Sequence, residues 1–236
     1  METPLSAKAK ASPAFRIERF VVADGTLEAL KWIAMVLMAL DHINKYLLGE
    51  AHTVLFILGR MAMPIFGFVL MYNLARPDAL AADIHLRVMR RLLGFGLLAT
   101  PIFAGLVGAW PLNIMFMLLL ATGMVWLMER GGWWRVTAAV FAFIGFGALV
   151  EFWWFGALSC LGAWFFCRSP TGGRLALWVL ALCSLWIVNR NFASLAALPL
   201  IWGLSRINIP LGRHKRLFYA FYPAHLALIW LAQRFV

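Results

Sequence analysis

The feature that most constrains this chain is a nearly unbroken succession of apolar segments from residue 27 to the end. A membrane-spanning helix needs about 20 mostly apolar residues, and fewer where neighbouring protein covers it. Only 13% of the residues are charged, whereas a typical soluble domain carries about 25%. The sequence therefore predicts an all-α, polytopic membrane helix bundle rather than a soluble domain. We assign about nine transmembrane helices, at residues 27–48, 53–75, 88–108, 111–128, 134–150, 152–167, 174–190, 192–206 and 217–235.

The positions of the basic residues predict how the bundle is oriented. Lys and Arg concentrate in the cytoplasmic loops of membrane proteins. With nine spans and a cytoplasmic N-terminus, the Arg-rich loops fall inside. The outer loops near residues 49, 108 and 151 contain no Lys or Arg, and the one near Asn191 has only Arg190. This topology accounts for the formal charge of +11, so we predict no nucleic-acid partner. We expect residues 1–26 to form a cytoplasmic N-terminal tail and residues 27–236 to form one domain in a bacterial inner membrane.

Two connections are harder to place than the others. The fifth and sixth apolar segments are separated only by Glu151, and the seventh and eighth only around Asn191. Irregular backbone is tolerated inside a membrane where protein or water covers it. Each pair can therefore be two spans or one broken, re-entrant segment.

Polar residues cluster near the end of the first predicted span, at Asp41, His42, Asn44 and Lys45. Ionisable side chains inside a membrane are costly and usually mark a functional site. Asp41 and Lys45 are four residues apart on a helix and can pair. A histidine can accept a proton from an amine or hydroxyl near neutral pH and later release it. The alternative is that these residues form only the hydrated outer end of a helix.

Arg60 lies inside the second predicted span, four residues before Pro64, which should kink that helix. A buried arginine can hold a carboxylate or a phosphate through paired hydrogen bonds. The alternative is an ion pair with Asp41 or Glu151.

The loop before the third span contains Arg87, Arg90 and Arg91. These arginines can attract anionic lipid headgroups or hold the phosphates of a nucleotide-containing donor. Their presence is also explained by topology alone. The three cysteines and five histidines show no close metal-ligand spacing, so we predict no metal site.

Four blocks of residues carry a resemblance to a known family. They are Asp24-Gly25-Thr26 through Asp41-His42-Ile43-Asn44-Lys45, Gly59-Arg60-Met61 through Tyr72-Asn73-Leu74-Ala75-Arg76, Asn113-Ile114-Met115-Phe116, and Phe218-Tyr219-Ala220-Phe221-Tyr222-Pro223-Ala224-His225-Leu226. In this order, and over nearly the whole chain, they resemble the TraX family. TraX proteins are associated with acetylation of the N-terminus of conjugative pilin, and they are similar to membrane acyltransferases that use acetyl-CoA.

The resemblance implies acetyl transfer from cytoplasmic acetyl-CoA to an amine or hydroxyl of an acceptor, which we expect to be pilin or an envelope glycan. In the related enzymes a histidine of the first conserved span is catalytic, and His42 matches that position. Asp41 would orient His42. The remaining residues expected to bind donor or substrate are Asn44, Lys45, Arg60, Asn73, Asn113, Arg87, Arg90 and Arg91.

Two other function classes remain open at the level of sequence. A small transporter could use a relay of buried residues, although it would predict an inverted repeat and none is visible. The relay would consist of Asp41, Lys45, Arg60 and Glu151. A non-catalytic assembly factor could hold pilin subunits in the bilayer through small-residue helix faces.

Overall fold

The computed structural model describes residues 20–214 and 216–235, so residues 1–19 of the expected cytoplasmic tail lie outside the described residues. Within the described residues the secondary structure is helical, which confirms the all-α class. A short 3₁₀ helix at Ala193–Ala196 precedes α10. The α-helices are α1 (Asp24–Tyr46), α2 (Thr53–Gly59), α3 (Ala62–Leu74), α4 (Ile84–Val107), α5 (Ile114–Glu129), α6 (Trp133–Gly147), α7 (Trp153–Arg168), α8 (Gly172–Ser184), α9 (Trp186–Asn189), α10 (Ala197–Ser205) and α11 (Leu217–Ala232).

Helix occupies each of the nine predicted segments. In the described part of the chain, three stretches are long and apolar enough to cross a membrane: Thr53–Leu74, Ile84–Val107 and Gly172–Asn189. Helix α1 is 23 residues long, but its charged side chains keep it out of this group. Shorter apolar helices include α5, α6 and α11. The number of crossings and the cytoplasmic N-terminus stay predictions.

The distortion predicted in the second span is present as a break in the helical hydrogen bonds between α2 and α3, where the backbone of Arg60 and Met61 keeps helical φ and ψ angles. Helix α2 ends at Gly59 and α3 begins at Ala62, so Arg60 lies in the break. Pro64 has no N–H and cannot donate to the carbonyl of Arg60, four residues earlier. That carbonyl instead accepts a hydrogen bond from the Ser194 hydroxyl at 3.3 Å. The proline thus frees a backbone group that ties Arg60 to the segment before α10.

The central helices are packed mainly by large aromatic and aliphatic side chains. Phe68 of α3 and Phe166 of α7 each stack on Trp178 of α8 with ring centroids 5.6 Å apart. All three rings are almost completely buried. Helix α6, by contrast, buries only Ala139 and Gly147 and turns its large apolar side chains outward. An outward apolar face is what contact with lipid requires.

Two loops at the predicted outer end are joined by backbone hydrogen bonds. The Leu112 N–H donates to the Leu149 carbonyl at 2.7 Å, and the Glu151 N–H donates to the Leu112 carbonyl at 2.7 Å. The structure therefore resolves one uncertain connection: α6 and α7 are separate helices, and residues 148–152 form a loop between them. This loop carries Glu151 to the end of α1 and the start of α5.

Candidate active site

Two neighbouring cavities lie between α1, α3, α5 and α11. The small cavity, of about 60 Å³, is lined by the ionisable side chains of Asp41, His42, Lys45, Arg60 and Glu151. The large cavity, of about 320 Å³, has mostly apolar walls and several basic side chains. The basic residues that line it are Lys31, Arg76, Arg87, Arg91 and Arg213.

The two cavities adjoin each other. Four residues line both of them, and we call this set the junction: Met38, Phe66, Ile114 and Tyr222. The polar cluster predicted from α1 is therefore next to the large cavity and its basic side chains. A ligand with an anionic end and a long apolar arm can extend from one cavity toward the other.

His42 forms a hydrogen bond with His225 of α11, a residue of the fourth family block that was not among the predicted site residues. His42 Nδ1 and His225 Nε2 are 2.8 Å apart, and the two rings are nearly parallel with centroids 5.1 Å apart. His225 Nδ1 lies 2.9 Å from the Phe221 carbonyl oxygen. The two histidines are 183 positions apart, so no sequence spacing could have indicated this contact.

This chain of contacts determines the tautomers of both rings. A carbonyl oxygen only accepts, so His225 Nδ1 must carry its hydrogen. In the neutral ring, His225 Nε2 is then an acceptor, and His42 Nδ1 must donate to it. His42 Nε2 is left without a hydrogen. We therefore assign His42 Nε2 as the nitrogen that can accept a proton at the small cavity.

The carboxylate of Asp41 is paired with Arg60. Arg60 Nη2 donates to Asp41 Oδ2, and Arg60 Nη1 donates to Asn189 Oδ1 at 3.5 Å. The predicted pair of Asp41 with Lys45 is replaced by this contact, and the alternative reading of Arg60 as an ion-pair partner is confirmed. Asp41 is also not the partner of His42; His225 takes that place.

Close packing of α1 on α2 makes the Asp41–Arg60 contact feasible. A Cβ atom added at Gly59 would lie 2.3 Å from the Asp41 Cβ and 2.6 Å from Oδ1. Glycine is therefore needed directly before Arg60. Asp41 Oδ1 and Arg60 Nε are buried and have no hydrogen-bond partner among the described residues. Both atoms therefore have unused hydrogen-bonding capacity.

Two of the asparagines expected to bind substrate make structural contacts instead. Asn44 exchanges two hydrogen bonds of 3.0 Å with the backbone of His52 and so holds the α1–α2 loop. Asn113 caps α5 by accepting from the Met115 N–H at 3.1 Å, and it donates to the Gly96 carbonyl at 3.0 Å. Neither residue is among those that line the two cavities.

The other residues expected to bind the donor divide between the cavities and the surface. Asn73 lines the large cavity and accepts from Arg213 at 3.5 Å. Arg87 and Arg91, one turn apart on α4, line the same cavity and have no carboxylate within 4 Å among the described residues. Arg90, on the same helix, is exposed and lies outside the lining. Lys45 lines the small cavity, close to the Tyr46 ring.

The start of α1 contacts basic residues that line the large cavity. The sequence did not predict this contact. Asp24 pairs with Arg76 and lies 3.4 Å from Arg213, a group that we call the Asp24 clasp. The hydrogen bond from Arg76, with the charges of both arginines, lowers the pKa of Asp24 against a smaller opposing effect of burial. A Cβ at Gly25 would lie 1.8 Å from the Ile209 carbonyl oxygen, so this glycine lets the α10–α11 loop dock on α1. The motif Asp24-Gly25-Thr26 was visible in the sequence, but its role was not.

Comparison with protein families gives a match over most of the chain. The family model described as TraX protein matches residues 26–233 of this chain. The chain belongs to the TraX family. The family resemblance deduced from the four sequence blocks is confirmed.

Two curated relatives, both named Protein TraX, come from Escherichia coli. One is 33% identical over 138 residues, which cover 56% of this chain and 52% of the relative. The other, from strain K12, is 33% identical over 132 residues, which cover 55% and 50%. The matched stretch thus spans about half the length of these TraX relatives. No solved structure matches this chain.

Proposed function

We propose that this TraX-family protein is a multi-pass acyltransferase of the bacterial inner membrane. It transfers an acetyl group from acetyl-CoA to an amine or hydroxyl of an acceptor, either pilin or an envelope glycan. The observation that supports this most directly is the position of His42. Its ring is oriented by His225 and lines a small polar cavity that adjoins a large cavity with free arginines.

The large cavity suits the donor. Its volume of about 320 Å³ lies in the usual range for small-molecule sites, and its walls are mostly apolar. Arg87 and Arg91 offer charge-assisted hydrogen bonds to phosphates, and no acidic side chain of the described residues neutralises them. Acetyl-CoA has phosphates at one end, a flexible arm and a thioester at the other end. In the proposed orientation the thioester lies at the junction.

The small cavity supplies the chemistry. His42 Nε2 takes a proton from the acceptor as its nitrogen or oxygen attacks the thioester carbonyl carbon. The new bond to carbon forms, the carbon–sulfur bond breaks, and the leaving thiolate receives the proton from the His42 imidazolium. The products are the acetylated acceptor and free CoA. His225 is a positioning residue, since it fixes the tautomer of His42 as a carboxylate does in other histidine sites.

The Asp41–Arg60 pair has a different part in this proposal. The pair holds the break between α2 and α3 beside His42. The negative charge of Asp41 and the positive charge of Arg60 neutralise each other within the protein. A relay that carries ions through the membrane would need Asp41 to exchange partners. The hydrogen bonds of Arg60 to Asn189 and of its carbonyl to Ser194 hold it in place instead.

The test is mass spectrometry of pilins and envelope glycans from cells that lack this protein. The cells are complemented with the wild type, His42→Ala or His52→Ala. His52 is the matched control because it is an exposed histidine at the same end of the bundle and does not line either cavity. We expect one species to gain the mass of an acetyl group with the wild type and with His52→Ala, but not with His42→Ala.

Three results would contradict the proposal. Acetylation that persists with His42→Ala at normal membrane level would remove His42 from the mechanism. Solute uptake by reconstituted vesicles without CoA would indicate a transporter, and co-purification of unmodified pilin that ignores His42 replacement would indicate an assembly factor.

A further inference from the structure

The hydroxyl of Tyr222 is a buried hydrogen-bond donor without a partner. Tyr222 is 2% exposed, and its hydroxyl hydrogen has no acceptor within the described residues. A buried polar group without a partner destabilises the folded protein. Phenylalanine would fill the same space without this cost. A tyrosine at this position therefore suggests a hydroxyl that is used by a bound molecule.

The location of Tyr222 indicates which molecule that is. Tyr222 belongs to the junction and lines both cavities. It lies one helical turn before His225 on α11, and the two rings make an edge-on contact with centroids 5.6 Å apart. Tyr222 is therefore at the passage between the proposed donor cavity and the His42–His225 pair.

The other donors of the polar cluster are less suited to the reacting carbonyl. Asn44 is occupied by the backbone of His52, and the Nη atoms of Arg60 by Asp41 and Asn189. The Nε of Arg60 has no partner within the described residues, but Arg60 and Lys45 line only the small cavity and are not part of the junction. Among the described residues of this cluster, Tyr222 alone combines an unpartnered hydroxyl with a place in both cavities.

We propose that the Tyr222 hydroxyl donates a hydrogen bond to the thioester carbonyl oxygen of the acyl donor. The inference rests on the proposed acetyl transfer and adds a catalytic residue to it. As the acceptor attacks the carbonyl carbon, the carbon–oxygen π electrons move to oxygen, and the negative charge there strengthens the hydrogen bond. No proton leaves Tyr222, and the carbonyl re-forms when the carbon–sulfur bond breaks.

The first test compares Tyr222→Phe with Tyr72→Phe in purified protein. Removal of one donor to a developing oxyanion lowers kcat by about 100-fold or more in other enzymes. We expect a loss of this order for Tyr222→Phe, with the KM for acetyl-CoA within about twofold and the melting temperature unchanged or higher. Tyr72 contacts the Val22 backbone and lines neither cavity. Its replacement should lower the melting temperature and leave kcat unchanged.

The second test reads the hydrogen bond directly. Acetyl-CoA labelled with ¹³C at the carbonyl is bound to His42→Ala protein, which prevents turnover, and the infrared carbonyl band is recorded. We expect a lower wavenumber than for free acetyl-CoA, and a return toward the free value in His42→Ala/Tyr222→Phe protein.

The outcomes separate the two proposals. If Tyr222→Phe keeps full kcat and the carbonyl band does not move, the role of Tyr222 is wrong and acetyl transfer stands. A large loss of melting temperature would also overturn it, because the hydroxyl would then have a structural partner. If wild-type protein neither binds nor consumes acetyl-CoA, the proposed function itself is wrong.

Discussion

The large and the small cavity share a junction but are built from different kinds of residues. The large cavity is formed mostly by apolar faces of regular helices, and its arginines are confined to one end. The small cavity is formed where irregular backbone meets α1, at the break around Arg60 and the loop that carries Glu151. This difference implies that binding of the donor and the transfer step depend on different residues. Changes to the large cavity should alter the donor KM, and changes to the small cavity should alter kcat.

The largest effect should follow from replacing the positioning histidine. His225→Phe keeps an aromatic ring but removes the acceptor for His42 Nδ1. Loss of the group that orients a catalytic histidine can lower kcat by several orders of magnitude. We expect a decrease in kcat of about 1,000-fold with an unchanged KM for acetyl-CoA, measured by steady-state kinetics.

His225→Gln sharpens this prediction. Its side-chain oxygen can accept a hydrogen bond near the position of His225 Nε2, so we expect it to recover part of kcat. Equal loss in both variants, together with a lower melting temperature, would mean that His225 serves only to pack α11 against α1.

A smaller effect on kcat should come from Gly59→Ala. The added methyl group would lie within 3 Å of Asp41 and must displace either that side chain or α2. A misplacement of about 1 Å near a reacting centre can cost about 100-fold in rate. The control is Gly145→Ala on α6, where nothing lies within 4 Å of an added Cβ. Equal kcat in the two variants would show that the exact position of the Asp41–Arg60 pair is not needed.

The large cavity should respond in KM rather than in kcat. A hydrogen bond to a charged group contributes about 1.5–3 kcal/mol, so Arg87→Gln or Arg91→Gln should raise the KM for acetyl-CoA by about tenfold or more. Arg90→Gln removes the same charge from the same helix outside the cavity lining, and we expect a smaller rise. Identical effects of all three variants would indicate a general charge effect instead of direct phosphate contact.

The smallest effect concerns stability at the basic end. Asp24→Asn removes the charge of the Asp24 clasp. Because the pKa of Asp24 is lowered in the folded protein, its contribution is present above the ordinary pKa of an aspartate and is lost as the pH falls through the lowered value. Wild type should therefore melt slightly higher than Asp24→Asn at neutral pH, and the difference should vanish in acid. A difference in melting temperature that grows as the pH falls would contradict this prediction.

Several features of the site could be predicted from local sequence. Asp41, His42 and Lys45 are conspicuous in the sequence because ionisable residues inside an apolar helix are costly and usually have a function. Pro64 indicated a distortion near Arg60, and the structure interrupts the helical hydrogen bonds there. The partners of these residues could not be predicted in the same way. Helical spacing favoured Lys45 for Asp41, but such a pair contributes only about 0.2–0.5 kcal/mol and is easily replaced by a contact between helices.

The amino-acid sequence by itself determined the helical, apolar character of the chain, the nine helical segments and the concentration of arginines in alternate loops. These properties follow from local composition and hydropathy. Only the tertiary structure decided that His42 meets His225, that Arg60 holds Asp41, and that Tyr222 borders both cavities. The physical reason is that contacts between helices depend on close packing, which glycines such as Gly59 permit and no local periodicity records.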